Sequence, residues 1–215
     1  MPISPNKASE RTREICAIAP IIPVLVVNNP SDARPLAKAL VAGGLPVLEV
    51  TLRTPSALEV ISEMAKVEGG FVGAGTLLTP KDVQLAKAAG ATFGVSPGAT
   101  DRLLAACEAA GLPLLPGAAT ATEAMRLLER GYDMLKFFPA EASGGAKALG
   151  ALASPLPQIT FCPTGGVSPT NANDYLALPN VICAGGSWVA PMDLISKGAW
   201  EEIETLARAA SQLGA

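Results

Sequence analysis

Val47-Leu48-Glu49-Val50-Thr51-Leu52-Arg53-Thr54-Pro55 carries the end of one strand and the start of one helix. Val47 to Leu52 is a short, mostly apolar run of the kind that forms a strand buried in a sheet. Thr54-Pro55 then places a capping hydroxyl before a proline suited to a first helical turn. Ser56 to Lys66 continues with helical periodicity, and Gly69 permits a left-handed stop.

The same unit recurs on both sides. Apolar runs fall at Ile21–Val27, Val47–Leu52, Phe71–Ala74, Thr92–Val95, Leu112–Leu115, Met134–Phe138, Ile159–Cys162 and Val181–Ala184, eight in all. Helical segments lie between them at Asp32–Ala42, Ser56–Lys66, Lys81–Ala88, Asp101–Ala109 and Thr122–Glu129. Thr79-Pro80 and Ser168-Pro169 repeat the start signal, and Gly43, Gly90, Gly111 and Gly131 repeat the stop. Strand–helix alternation implies a parallel sheet, and eight repeats predict an α/β fold of the (β/α)₈ TIM barrel type. We expect one domain over residues 1–215, with Met1 to Ile15 forming an N-terminal helix that closes the barrel floor. An open, doubly wound sheet would share this punctuation; the even count and regular spacing favour the barrel.

Composition narrows the partners. The chain has 215 residues, 49% of them hydrophobic, and a net charge of −3 with no basic cluster, so neither nucleic acid nor a membrane surface is expected to bind. Cys16, Cys107, Cys162 and Cys183 are widely separated, which argues against a zinc site or a disulfide framework and for a reducing, cytoplasmic setting. The N-terminal stretch is polar, and no apolar run approaches the roughly 20 residues that span a bilayer. A soluble, unprocessed protein with a small-molecule ligand is expected.

The chain contains no histidine. Acid–base work near neutral pH then falls to lysine, carboxylate or thiol. Lys136 is a lone charge in Tyr132-Asp133-Met134-Leu135-Lys136-Phe137-Phe138-Pro139. Strand alternation puts Val47, Glu49, Thr51 and Arg53 on one face, and Met134, Lys136 and Phe138 on another. Glu49, Arg53 and Lys136 would therefore converge in the upper barrel. Glu49 and Lys136 could be a purely structural buried ion pair. Burial beside Arg53, however, would favour the neutral, nucleophilic amine that attacks a carbonyl.

Barrel active sites lie at the carboxyl ends of the strands. The segments there are Gly73-Ala74-Gly75-Thr76, Ser96-Pro97-Gly98, Pro116-Gly117-Ala118-Ala119-Thr120, Pro163-Thr164-Gly165-Gly166-Val167 and Gly185-Gly186-Ser187. Glycine pairs after the last two strands occupy the usual barrel phosphate position, so a phosphorylated ligand is expected. Cys162 and Cys183 read as core packing, and Phe137 as facing outward against helices. Trp188 and Trp200 read as cover for the barrel end or its last helix.

Gly44-Leu45-Pro46-Val47-Leu48-Glu49-Val50-Thr51-Leu52-Arg53-Thr54, Leu135-Lys136-Phe137-Phe138-Pro139-Ala140-Glu141, Gly185-Gly186-Ser187-Trp188 and the loops above resemble the 2-keto-3-deoxy-6-phosphogluconate (KDPG) aldolases, which also cleave 4-hydroxy-2-oxoglutarate (KHG). The resemblance spans nearly the whole chain. It implies a class I aldolase of the Entner–Doudoroff pathway, without metal or cofactor, in which Lys136 forms a Schiff base and Glu49 is the acid/base. It implies that Arg53 and Thr76 hold the pyruvyl carboxylate, and that Pro97, Phe138 and Thr164 shape the pocket. Gly165, Gly166, Gly185, Gly186 and Ser187 would receive the phosphate, Thr164 leans toward the gluconate-derived substrate, and the family is trimeric. Two other readings stay open: a phosphosugar isomerase or epimerase on the same barrel, and a noncatalytic sensor of phosphorylated sugar acids.

Overall fold

A computed structural model describes residues 1–214. Among these residues are nine short strands: β1 Ile21–Leu25, β2 Val47–Thr51, β3 Phe71–Gly75, β4 Phe93–Val95, β5 Leu114–Leu115, β6 Gly117–Ala118, β7 Met134–Phe137, β8 Thr160–Pro163 and β9 Ala184–Gly186, all but β5 and β6 separated by helices. The helices are α1 Pro5–Cys16, α2 Ala33–Ala42, α3 Ala57–Met64, α4 Pro80–Ala88, α5 Asp101–Ala110, α6 Ala121–Arg130, α7 Gly145–Ala151, α8 Ala172–Leu176, α9 Met192–Lys197 and α10 Trp200–Ala210. All strand pairs are parallel, in a six-stranded sheet ordered β5-β4-β3-β2-β1-β9 and a three-stranded sheet ordered β6-β7-β8. Only Pro116 separates β5 from β6, and its carbonyl accepts a hydrogen bond from the Lys136 N–H at 2.9 Å. Near β8 and β9, isolated bridges join Phe161 to Val181 and Thr164 to Gly185. The result is a curled parallel sheet with helices outside it.

Side-chain alternation divides the core. Ile22, Val47, Phe93, Val95, Leu115, Met134, Cys162 and Cys183 pack together inside the curl, joined by Cys16 from α1. Their neighbours Leu48, Val50, Leu135 and Phe161 pack outward with the helices. Each such fully buried aliphatic or aromatic side chain contributes about 1.5–3 kcal/mol. Phe137 faces outward as expected, edge-on to Phe161 with centroids 6.2 Å apart. All four cysteines are free and buried, and burial pushes the Cys107 thiol up to about 12.

The fifth and eighth runs differ from expectation. Leu112–Leu115 loses its first two residues, where Pro113 has no N–H to donate, and Pro116 interrupts the ladder before pairing resumes at Gly117–Ala118, expected as loop. The last run shifts forward, so Gly185 and Gly186 lie in β9, paired with Ile22 and Pro23, rather than in a loop. Glycine adds no side chain to a hydropathy pattern, yet its backbone completes a ladder.

The helix signals divide similarly. Thr79 caps α4 through a full capping box with Asp82, and Pro80 starts the helix. Thr54 does not cap α3; its hydroxyl donates to the Val27 carbonyl at 2.9 Å, and the helix begins at Ala57. Ser168 likewise lies before α8, its N–H donating to Asn171 Oδ1 at 2.8 Å. Gly43 ends α2 with φ −75°, not left-handed. A side chain there would fall 2.8 Å from the Glu204 carbonyl oxygen of α10, so close packing explains the residue.

α1 sits at the amino end of the sheet. Its Ser9 Oγ accepts the Asp133 and Met134 N–H groups at 3.0 and 3.3 Å, and Arg13 pairs with Asp133 at 3.0 Å. Among the described residues no helix is long and apolar enough to cross a membrane.

Candidate active site

β2 and β7 supply the central pair. Glu49 follows Val47 by two residues and Lys136 follows Met134 by two, so both point into the curl just above the apolar inner layer. Lys136 Nζ donates to Glu49 Oε1 at 3.1 Å, with Oε2 at 3.5 Å. Lys136 is 5% and Glu49 3% exposed. Removing two charges from water is costly, and close pairing offsets that cost. Lys136 Nζ also lies 5.5 Å from the centre of the Phe138 ring, within cation–π range.

Gly75 makes room for this pair. A β-carbon there would lie 2.7 Å from Glu49 Cγ, so the carboxylate occupies the volume a side chain on β3 would fill. The next residue, Thr76, has φ +61°, the left-handed region that β-branched residues rarely enter. Its Oγ1 accepts from Arg53 Nε at 3.3 Å. Arg53 itself lies just past β2, where its N–H turns back to the Thr51 carbonyl at 2.8 Å. Arg53 is an exposed residue.

A cleft of ≈ 330 Å³ opens at the carboxyl ends of the strands. Arg53, Phe138, Thr164, Gly165, Gly166, Gly185 and Ser187 line it, together with Val24, Val26, Val167, Ala190, Pro191 and Met192. This size suits a small ligand. Phe138 joins the cleft wall to Lys136, which with Glu49 lies beyond the lining. Gly165 and Gly166 both have positive φ, 99° and 79°. Ser187 is exposed at the rim.

Three expected residues lie outside this lining: Thr76, which meets Arg53 instead, Pro97 and Gly186. Pro97 does not line the cleft; it packs with its carbonyl against Gly117 at the start of β6. Gly186 does not line it either, because its α-carbon faces Trp188, whose Cη2 lies 2.6 Å from where a β-carbon would sit. Gly185 faces the other way, where a β-carbon would be 2.9 Å from Thr164 Cγ2. Thr164 is buried, its hydroxyl 3.9 Å from the Cys162 thiol on the same face of β8. Val24 and Val26 were not singled out from sequence, although their alternation with Ile22 was a usable signal. Gly75 as a spacer carried no such signal. Among the described residues no group of three or more His, Cys, Asp or Glu is placed to hold a metal ion.

A buried amine in contact with a carboxylate, at the base of a cleft with a cationic side chain on one wall and a glycine loop on the other, is equipped for imine chemistry on an anionic carbonyl compound. Comparison with known proteins agrees. Residues 12–206 match the aldolase family of KDPG and KHG aldolases. The 2-dehydro-3-deoxy-phosphogluconate aldolase of Pseudoalteromonas atlantica is 51% identical over 200 residues, covering 93% of each chain. The crystal structure of the Zymomonas mobilis KDPG aldolase with 3-phosphoglycerate superposes with a TM-score of 0.91 at 48% identity, covering 95% of this chain and 97% of that one. A Legionella pneumophila KDPG aldolase, captured with pyruvate as a covalent carbinolamine, gives a TM-score of 0.90 at 45% identity, covering 93% and 98%. With a family match across most of its length and relatives at about half identity, this chain belongs to the KDPG and KHG aldolases.

Proposed function

We propose that Lys136 is the Schiff-base lysine and Glu49 the acid/base of this aldolase. The chain is a carbon–carbon lyase that cleaves KDPG to pyruvate and glyceraldehyde 3-phosphate in the Entner–Doudoroff pathway. The observation that carries the assignment is the 3.1 Å contact between Lys136 Nζ and Glu49 Oε1 beneath the cleft.

The steps follow from that contact. Lys136 adds as the neutral amine to the substrate keto carbon, and Glu49 moves the protons that turn the carbinolamine into an iminium and water. The iminium draws electrons from the bond to be broken. Glu49, through a water, takes the proton of the hydroxyl on the far carbon of that bond; the oxygen becomes the carbonyl of glyceraldehyde 3-phosphate, and the bonding pair passes to the iminium to leave an enamine on Lys136. Protonation of the enamine and hydrolysis of the imine release pyruvate and restore the amine.

Arg53 grips the carboxylate next to the keto group, with Thr76 holding the guanidinium, which supplies orientation. Thr164 and Phe138 shape the pocket, and Gly165, Gly166, Gly185 and Ser187 receive the phosphate. Pro97 and Gly186 act one layer out, as supports for β6 and Trp188. Cleavage of KHG to pyruvate and glyoxylate uses the same lysine without the phosphate contacts. The bridges between the β8 and β9 regions and the continuity through Pro116 support a closed (β/α)₈ barrel over residues 1–215 as one domain. The proposed assembly is a homotrimer in the cytoplasm, where free thiols persist.

The test is incubation with pyruvate and borohydride followed by peptide mapping. The adduct is expected on the peptide containing Lys136. No adduct, or one on another lysine, overturns the assignment.

A further inference from the structure

The phosphate reading requires the Gly165-Gly166 loop to offer N–H groups to the cleft, so its carbonyl oxygens must point elsewhere. Both carbonyls are engaged from behind. Gly165 O accepts the Glu141 N–H at 3.0 Å, and Gly166 O accepts Asn171 Nδ2 at 3.1 Å. Neither Glu141 nor Asn171 lines the cleft. Among the described residues the Gly166 and Val167 N–H groups have no acceptor within the protein.

Asn171 is itself oriented. Its Oδ1 accepts from Ser168 N–H at 2.8 Å and lies 3.3 Å from Ser168 Oγ, which leaves Nδ2 for Gly166. Glu141 backs the same loop: a β-carbon on Gly166 would lie 2.6 Å from Glu141 Cγ, and the buried Tyr175 donates its hydroxyl to Glu141 Oε1. Positive φ at both glycines is backbone that side-chain-bearing residues rarely adopt, so the course of this loop depends on them.

We propose that Asn171 is a positioning residue for phosphate recognition: by holding the Gly166 carbonyl away from the cleft, it presents the loop amides to the phosphate end of the substrate. This rests on the phosphate assignment above. Asn171 does not touch the reacting atoms, and its effect is confined to phosphorylated substrates.

The test compares Asn171→Asp and Asn171→Ala with the wild type on KDPG and on KHG, which carries no phosphate. Asn171→Asp keeps the Ser168 contacts but sets an oxygen against the Gly166 carbonyl; Asn171→Ala removes the donor without adding charge. In both, kcat/KM for KDPG is expected to fall about tenfold or more through KM, with kcat/KM for KHG within about twofold of wild type. Pyruvate trapping by borohydride should persist in both variants. A loss equal on the two substrates, a loss in Asn171→Asp alone, an unchanged ratio in both, or loss of trapping in both would overturn the proposal. If the wild type itself traps no pyruvate, the aldolase assignment fails instead; if it traps pyruvate but shows no preference for KDPG, the phosphate assignment fails.

Discussion

Strand β7 begins and ends in different chemistry. At its amino end the polar groups are consumed within the protein: Ser9 takes two amides, and Arg13 reaches both Asp133 and Thr160. Three residues on from Asp133, Lys136 has a single carboxylate partner, and beyond it the cleft is lined with the Arg53 guanidinium and the Gly165-Gly166 loop. Saturated hydrogen bonding at one end stabilises; the unsaturated groups at the other are those proposed to meet substrate. The apolar layer from Ile22 to Cys183 separates the two.

Breaking the carboxyl end should have the largest effect. Lys136→Met should abolish turnover and, by leaving Glu49 buried and unpaired, cost about 3–5 kcal/mol in denaturant unfolding. Adding Glu49→Gln should restore most of that stability and none of the activity. Recovered turnover would remove Lys136 from the chemistry, and absent destabilisation would remove the pair from the core. Glu49→Gln alone should lower kcat by about 10²–10⁴-fold while pyruvate still binds, measured by steady-state kinetics and ligand titration.

Arg53→Lys should raise the pyruvate concentration needed for borohydride trapping by about ten- to a hundredfold, because an ammonium cannot reproduce the two-pronged grip on a carboxylate. Unchanged trapping would take Arg53 out of the site.

The amino end should respond in the opposite sense. Ser9→Ala leaves two strand amides without their acceptor and should lower stability by about 1–3 kcal/mol with kcat unaltered. A drop in kcat larger than the change in folded fraction would show that the two ends of β7 are coupled.

The smallest effect sharpens the comparison by moving sideways from the cleft. Thr120 and Glu123 form a capping box at the start of α6, and the Ala119 backbone amide, followed by the other cap contacts, holds the Glu123 carboxyl below the usual range. A lowered folded-state value stabilises above the unfolded one, near 4.3, and is lost as pH falls through the folded value. Thr120→Ala should therefore cost about 1 kcal/mol at neutral pH without affecting turnover. The stability gap between wild type and Glu123→Gln should close in acid.

Glu49 and Lys136 were legible because a charge inside an apolar run, at strand period, stands out against its neighbours. Thr79 and Gly131 were legible because capping is local. Thr54 and Ser168 misled for the complementary reason: the same hydroxyl-before-proline pattern also serves turns, and Val27 and Asn171, distant in one case and local in the other, claimed those residues. The strand character of Gly185 and Gly186 was hidden because ladder bonds leave no mark on side-chain hydropathy.

By itself, then, the sequence determined the alternation of strand and helix, the inward pair, and the lack of imidazole that leaves acid–base work to lysine, carboxylate or thiol. Those properties reside in side-chain type and short-range period. Tertiary structure decided which neighbours each residue meets: that Gly75 vacates the volume Glu49 occupies, that Gly186 yields to Trp188 rather than to the cleft, and that Asn171 and Glu141 hold the carbonyls of a loop from outside the cleft. Glu49 with Gly75 and Glu141 with Gly165 are close approaches between segments separated in the chain, and the packed sheet brings them within reach; the Trp188 and Asn171 contacts are local choices among competing partners that side-chain type alone does not settle.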